Sequence, residues 1–327
     1  MGFPKGASIP IGQGRGQYPA REEASLIDST HFDTPRPVPD GLTERRAYRA
    51  GTKPRRAAPV FAVTSGKGGV GKTNVVANLA IALSRRRQRV LAIDADLGLA
   101  NLDLFLGIKA EYSLADFFAG SVTLDEIILT NRDGILVMPG ASGIQEITAL
   151  SAEQKAAFLT ELDHIAHEMD IVLVDTASGI SDAVTYFTSA AQEIILVVTP
   201  EPSSMTDAYA LVKVLRAEQR QQRFLILANN VCDGAEARRL FDTLSRTALR
   251  FLNVSLEFLD WIPRDPHLLS AAARAQTVVS NNADAPSARA FTGLAEKLLQ
   301  RSAAQRRVKG NLQFFFRRML ESGKAGQ

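Results

Sequence analysis

The stretch "VTSGKGGVGKTNVV", Val63 to Val76, decides the fold. Inside it, "GKGGVGKT" from Gly66 to Thr73 fits the pattern G-x-x-x-x-G-K-[ST], following an apolar run and opening an amphipathic one. Glycines at that spacing let the backbone curl so that its N–H groups face phosphate oxygens, helped by the N-terminus of the next helix. The expected nucleotide-binding set runs through Gly66, Lys67, Gly68, Gly69, Val70, Gly71, Lys72, Thr73 and Asn74. Lys72 is placed to reach the β- and γ-phosphates, and the Thr73 hydroxyl to ligate magnesium. Lys67 is a second lysine that such a loop does not need.

Outward from the loop, short apolar runs alternate with amphipathic stretches: "VFAVTS", "RVLAID", "GILVMP", "DIVLVDT", "EIILVVTP", "RFLILANN" and "LEFLDWIP", the last followed by two more helices. Runs that are apolar throughout, rather than alternating, mark strands covered on both faces. Strand–helix alternation of this kind predicts an α/β fold: a P-loop NTPase with a mostly parallel twisted sheet and helices on both faces. Parallel strands deliver their C-terminal ends to one crevice, where such folds bind ligands. "LAIDAD" brings Asp94 and Asp96 to that crevice, and "IVLVD" brings Asp175, which suits a carboxylate holding magnesium through water. A lone Asp at a strand end can equally cap a helix; three beside a phosphate loop favour the magnesium reading.

The chain has 327 residues, 46% apolar and 22% charged, with a net charge of +3, the balance of an ordinary globular protein. That charge alone does not indicate nucleic-acid binding. One cysteine, Cys232, excludes an intrachain disulfide and a multi-cysteine metal site built within one chain. No signal peptide or spanning run is evident, so the expectation is a cytoplasmic protein. Residues 1–57 read as a disordered Pro/Gly/Arg-rich extension, 58–302 as the nucleotide-binding domain, and 303–327 as a separate tail. In the tail, Leu312, Phe315, Phe316, Met319 and Leu320 form one apolar stripe, flanked by Arg306, Arg307, Lys309, Arg317, Arg318 and Lys324. Such a helix suits the surface of an anionic membrane, although a helix docked on its own core shares the pattern.

"KGGVGKT", "DADLGLANLD" and "DTASGISD" together resemble the deviant-Walker ATPases related to MinD and ParA, over Val60 to Leu299. That resemblance implies ATP and magnesium as cofactors and an ATP-dependent homodimer. Lys67 would cross the dimer interface to the partner's phosphates, Asp96 would orient the attacking water, and Asp94 would touch the magnesium's water shell. The catalytic set is then Lys67, Lys72 and Asp96, and the metal set Thr73, Asp94 and Asp175. The 97–103 segment, with Asn101, and the 176–182 segment would be the two switches. A guanine-specific N/T-K-x-D box is missing: "NNVCD" places Val231 where the lysine belongs. Asn229 matches the family's adenine contact, or else caps a turn, and "WIPRD", with Pro263 and Asp265, matches the loop closing over the base.

Within that family, "TPEPSSMTDAYALVK" and "GNLQFFFRRML" resemble the flagellar-number regulators of the FlhG or FleN type. This implies a switch ATPase regulating flagellar number or placement. It would be cytoplasmic and reversibly peripheral at the inner face of the plasma membrane. Implied partners are an anionic membrane surface and the flagellar GTPase FlhF, a flagellar transcriptional regulator, or both. The Gln/Leu/Arg activating motif often found in such N-terminal extensions has no clear match in "REEASLIDST". The alternative is a relative that positions another cargo, such as the division site or a chemosensory array. An iron–sulfur carrier lacks the thiolates it needs. A DNA-segregation role is disfavoured by the phenylalanine stripe, so no direct DNA binding is expected.

Overall fold

The computed structural model describes residues 58–96, 101–113, 116–117, 119–140, 151, 160–162, 165, 168–219 and 221–304. The extension read over 1–57, the stripe from Leu312 to Leu320 and residues 97–100 of the first expected switch lie outside these. All the described residues belong to the compact unit that starts at Lys53.

Strand β1 (Val60–Ser65) is buried along its whole length and leads through the glycine loop into helix α1 (Lys72–Ser84). The nearest strands in space come from distant parts of the chain. β5 (Ile171–Ser178) lies on one side of β1 and β6 (Glu193–Val198) on the other, both parallel to it. Outside β5 come β2 (Val90–Ala95) and β4 (Leu136–Met138), and outside β6 come β7 (Arg223–Val231) and β8 (Ser255–Pro263). The full order is β3-β4-β2-β5-β1-β6-β7-β8, parallel apart from the two-residue edge strand β3 (Leu129–Thr130), which runs antiparallel to β4. The mostly parallel sheet expected from the apolar runs is present, and two features were not legible in them. One is β3, too short for any periodicity; it forms because the Asn131 side chain accepts from the N–H groups of Asp133 and Ile135 and closes the turn to β4. The other is the number of helices after β8 among the described residues: three rather than two, α7 (Pro266–Ala272), α8 (Val278–Asn281) and α9 (Pro286–Ala304).

Helices cover both faces. α1 and α9 pack on one, sharing a cluster with Phe61, Leu79, Leu225 and Phe291. On the other lie α4 (Asp182–Ala190), α5 (Pro202–Gln219) and α6 (Gly234–Leu252), packed with Ile194, Leu196, Phe224 and Ile226. The short helices α2 (Leu102–Phe105) and α3 (Leu124–Ile127) follow β2 before β3. Phe61, Phe224 and Phe291 are fully buried, and truncating any one to alanine would cost about 3–5 kcal/mol.

Candidate nucleotide-binding site

Three consecutive strands of the sheet, β2, β5 and β1, bring the expected groups to one edge. Asp94 of β2 stands opposite Asp175 of β5, and Asp175 opposite Val63 of β1, three residues before the loop begins. A register shift between Val63 and Ser65 bends β1 out of the ladder at the point where the loop leaves it. Gly179 N–H, just past β5, donates to Ser65 O at 2.9 Å, and Ser65 Oγ donates to Lys67 O at 2.7 Å. The loop and the start of the second expected switch are thereby tied together.

The glycines are required for two reasons. Gly66 lies so close to α5 that a Cβ would sit 2.1 Å from the Asp207 carbonyl carbon. Gly71, the N-cap of α1, has φ 93°, and a Cβ there would meet Asn229 Nδ2 at 2.8 Å. The loop therefore has α5 on one side and the end of β7 on the other. Lys72 is buried at the start of α1, and burial pulls its pKa below the usual lysine value despite the charges of Asp175 and Asp96. Burial pushes Asp94 up to about 6, against the N–H groups of Leu102, Asp96 and Asn101 that donate to it. Burial also pushes Asp175 up to about 7; Thr73 and Lys72 oppose the rise and Asp94 and Asp96 add to it. Thr73 bears on the Asp175 carboxylate without hydrogen-bond geometry, since both Asp175 oxygens are buried with no partner.

Two buried carboxylates side by side, one with orphaned oxygens, beside a hydroxyl and a lysine, form a donor set that fits hydrated magnesium on a polyphosphate. Among the described residues no group of three or more His, Cys, Asp or Glu converges as a metal cage. The hydroxyl of Thr73 and the ligand's own phosphates would have to complete such a site.

Asn229 is buried at the end of β7, where a second register shift re-aims the strand, and its Nδ2 donates to Val70 O at 2.7 Å. Its Oδ1 is buried without a partner. An unpaired amide oxygen can accept from an amino group on a base edge. Asn74 is engaged within α1, accepting from Asn78 Nδ2. Pro263 ends β8 at the same edge. Asp265 serves the packing of helices, with Oδ1 capping α7 through His267 N–H and Oδ2 accepting from Ser287 N–H and Oγ at the start of α9. Burial pushes its pKa up, but those hydrogen bonds prevail and hold it below the usual carboxylate value. Asp96 lies one residue past β2, its N–H donating to Asp94.

Lys67 points away from this cluster. Its Nζ donates to Glu201 Oε2 at 2.6 Å and to Ser203 Oγ at 2.9 Å, at the start of α5, and the side chain is 35% exposed. Glu201 and Ser203 are functional candidates that spacing did not single out, being far from Lys67 along the chain. The only signal was the phrase "TPEPSSMTD", without a role for its acid.

Comparison with known proteins agrees with this geometry. The model of the CobQ/CobB/MinD/ParA nucleotide binding domain matches residues 61–278. The chain is 40% identical over 267 residues to the antiactivator FleN of Pseudomonas aeruginosa, covering 82% of this chain and 95% of FleN. It is 32% identical over 266 residues to the flagellum site-determining protein YlxH of Helicobacter pylori, covering 80% of this chain and 89% of that one. Among solved structures, the septum site-determining protein MinD of Pyrococcus horikoshii, complexed with Mg-ADP, superposes with a TM-score of 0.59. It is 25% identical, with 77% of this chain and 100% of that one covered. With its phosphate loop, paired carboxylates and sheet order accounted for, the chain belongs to the MinD/ParA family of nucleotide-binding proteins.

Proposed function

We propose that this protein is an ATP-hydrolysing switch that dimerises with ATP, associates reversibly with the membrane and regulates flagellar number or placement. Support for the flagellar role comes from the extent of its similarity to FleN and YlxH, which spans most of each chain. The observation that carries the switch is the position of Lys67. A loop lysine paired with Glu201 on α5, and partly open to solvent, is available to a neighbouring molecule once that pair opens. Lys72 already fills the in-chain role, buried within reach of the charges of Asp175 and Asp96.

In this reading the glycine loop and Lys72 grip the phosphates, and Asn229 receives the adenine amino group. Thr73, Asp94 and Asp175 hold magnesium, which when bound supplies positive charge against the phosphates. Both carboxylates are then ionised, because a cation beside them removes the cost of two buried negative charges. Asp96 orients the attacking water. Lys67, released from Glu201 and Ser203, adds a charge to the partner's phosphates, as an arginine finger does. Phosphoryl transfer depends on such positioning and charge neutralisation more than on covalent help. No helix among the described residues is long and apolar enough to cross a membrane, and the membrane contact is assigned to the basic apolar stripe from Leu312 to Leu320. FlhF and a flagellar transcriptional regulator are the proposed protein partners. The test is light scattering and sedimentation with anionic liposomes, each with and without ATP. A protein that stays monomeric and unbound in ATP would refute the switch. A deletion strain with altered division and normal flagella would move the reading to a division-site role.

A further inference from the structure

The last turns of α6 present a surface that the nucleotide site does not use. Leu249 and Phe251 are 60% and 64% exposed, whereas Leu240, Leu244 and Ala248 on the same helix are buried. Leu249 and Phe251, two residues apart, lie on opposite sides of the helix near its end, with Arg246 and Arg250 between them around it, and the nearest acid on the helix is Asp242. Among the described residues neither arginine has an ion-pair partner; Arg250 instead lies 5.1 Å from the centre of the Phe251 ring. Three acids at this end of the sheet are ion-paired: Glu193 and Glu257 with Arg301, and Asp170 with Arg89.

Topology puts this patch where the described chain ends. In a parallel sheet each helix returns against the strands, so its C-terminus lies at the edge where the strands begin. For α6, Gly234 backs on Trp261 near the end of β8, and Val254 N–H reaches Ala248 O just before β8 starts. For α9, Ser287 sits on Asp265 beyond the end of β8, and Arg301 reaches Glu257 near its beginning. The C-terminal ends of α6 and α9 thus flank the beginning of edge strand β8, one on each face of the sheet. The separation across the sheet is about 20 Å, one helix layer on each side. Residues 305–311, which precede the stripe, can span up to about 25 Å.

We propose that Leu249 and Phe251, with Arg246 and Arg250, form a second membrane contact that docks on an anionic lipid surface beside the C-terminal stripe. The proposal rests on the membrane association proposed above. Exposed apolar side chains at a helix end beside arginines without an ion-pair partner among the described residues match the layered chemistry of an anionic interface, with acyl chains beneath phosphate. Charge selects this occupant over the tail itself. Residues 306–324 carry Arg306, Arg307, Lys309, Arg317, Arg318 and Lys324 against the single acid Glu321, so they repel Arg246 and Arg250. A lipid surface also lets both contacts act together, since the second binds at the effective concentration set by the first.

The test is cosedimentation of the full chain in ATP with vesicles of phosphatidylglycerol and phosphatidylethanolamine. The double variant Leu249→Ser with Phe251→Ser should partition roughly tenfold more weakly than the unmodified chain, with ATP turnover in solution unchanged. Arg246→Ala with Arg250→Ala should weaken binding at low salt and have no effect on neutral phosphatidylcholine vesicles. If both double variants sediment like the unmodified chain, the proposal fails and the pair becomes a candidate protein-docking surface. If the unmodified chain does not sediment at all, the membrane reading itself falls, and this proposal with it.

Discussion

Lys67 Nζ stands 2.6 Å from Glu201 Oε2, so the extra lysine of the phosphate loop is held within its own chain at the start of α5. An ion pair this exposed contributes at most about 1 kcal/mol. It can therefore be broken by a modest competitor, and a neighbouring nucleotide's phosphates are a strong one.

Glu201→Ala should shift the ATP-dependent dimer to lower protein concentration, by up to about 30-fold, the equivalent of about 1 kcal/mol for each of the two pairs that a dimer opens. Thermal stability should change little. Lys67→Ala should bind ATP and stay monomeric. Light scattering across a dilution series reads both; a Glu201→Ala protein that dimerises less well would mean that Glu201 serves the dimer rather than restraining the lysine.

Lys72 and Asp96 should separate binding from hydrolysis. Lys72→Ala removes the buried cation at the phosphates and should abolish ATP binding by calorimetry. Asp96→Ala should bind ATP, hydrolyse it at least roughly tenfold more slowly and accumulate as a dimer. Equal loss of binding in the two would contradict the division of roles.

Stability without nucleotide should fall as pH rises. Asp94 near 6 and Asp175 near 7 both lie above the unfolded carboxylate value of about 3.9, so folding takes up protons. Their contribution is fully present below about pH 4 and is lost as pH passes through 6 and 7. Melting temperature should therefore decline between pH 5 and pH 8, and magnesium with nucleotide should flatten the decline. Asp175→Asn should flatten it without any ligand. An unliganded protein whose melting point rises over that range would disprove the account.

The glycines should differ in what they tolerate. Gly66→Ala drives a Cβ against the backbone of α5 and should cost about 3 kcal/mol, a drop of roughly 6–12 °C in melting temperature. Gly69 has φ 77°, but a Cβ added there would meet nothing within 4 Å, so Gly69→Ala should cost only about 1 kcal/mol of backbone strain. Calorimetric melting of the two variants decides the matter: equal losses would mean that the packing against α5 is not what fixes Gly66.

Deleting residues 312–320 should leave ATP-dependent dimerisation intact and abolish sedimentation with anionic liposomes. Phe315→Glu with Phe316→Glu should mimic the deletion, and high salt should weaken the intact protein only partly, because apolar burial is not screened. A truncated protein that still sedimented in ATP would return the stripe to a helix docked on its own core.

Local chemistry, written in the order of the residues, determined a good deal of this protein. Continuous apolar runs such as "IVLVD" mark strands covered on both sides, and the pattern G-x-x-x-x-G-K-[ST] between a strand and a helix points to phosphate. Those features act over a few residues, so their order along the chain carries them. Tertiary structure alone decided what depends on distance across the fold. It set Asp94 beside Asp175, because β5 inserts between β2 and β1, and so raised both pKa values by shared burial. It made Asp265 the residue that holds α7 and α9 together, and it left Asn229 with one amide group spent on Val70 and one oxygen open. It also brought Glu201 and Ser203 to Lys67, through the packing of α5 against Gly66. Residue spacing cannot reveal such a pairing, because the strand order that creates it is a property of the assembled sheet.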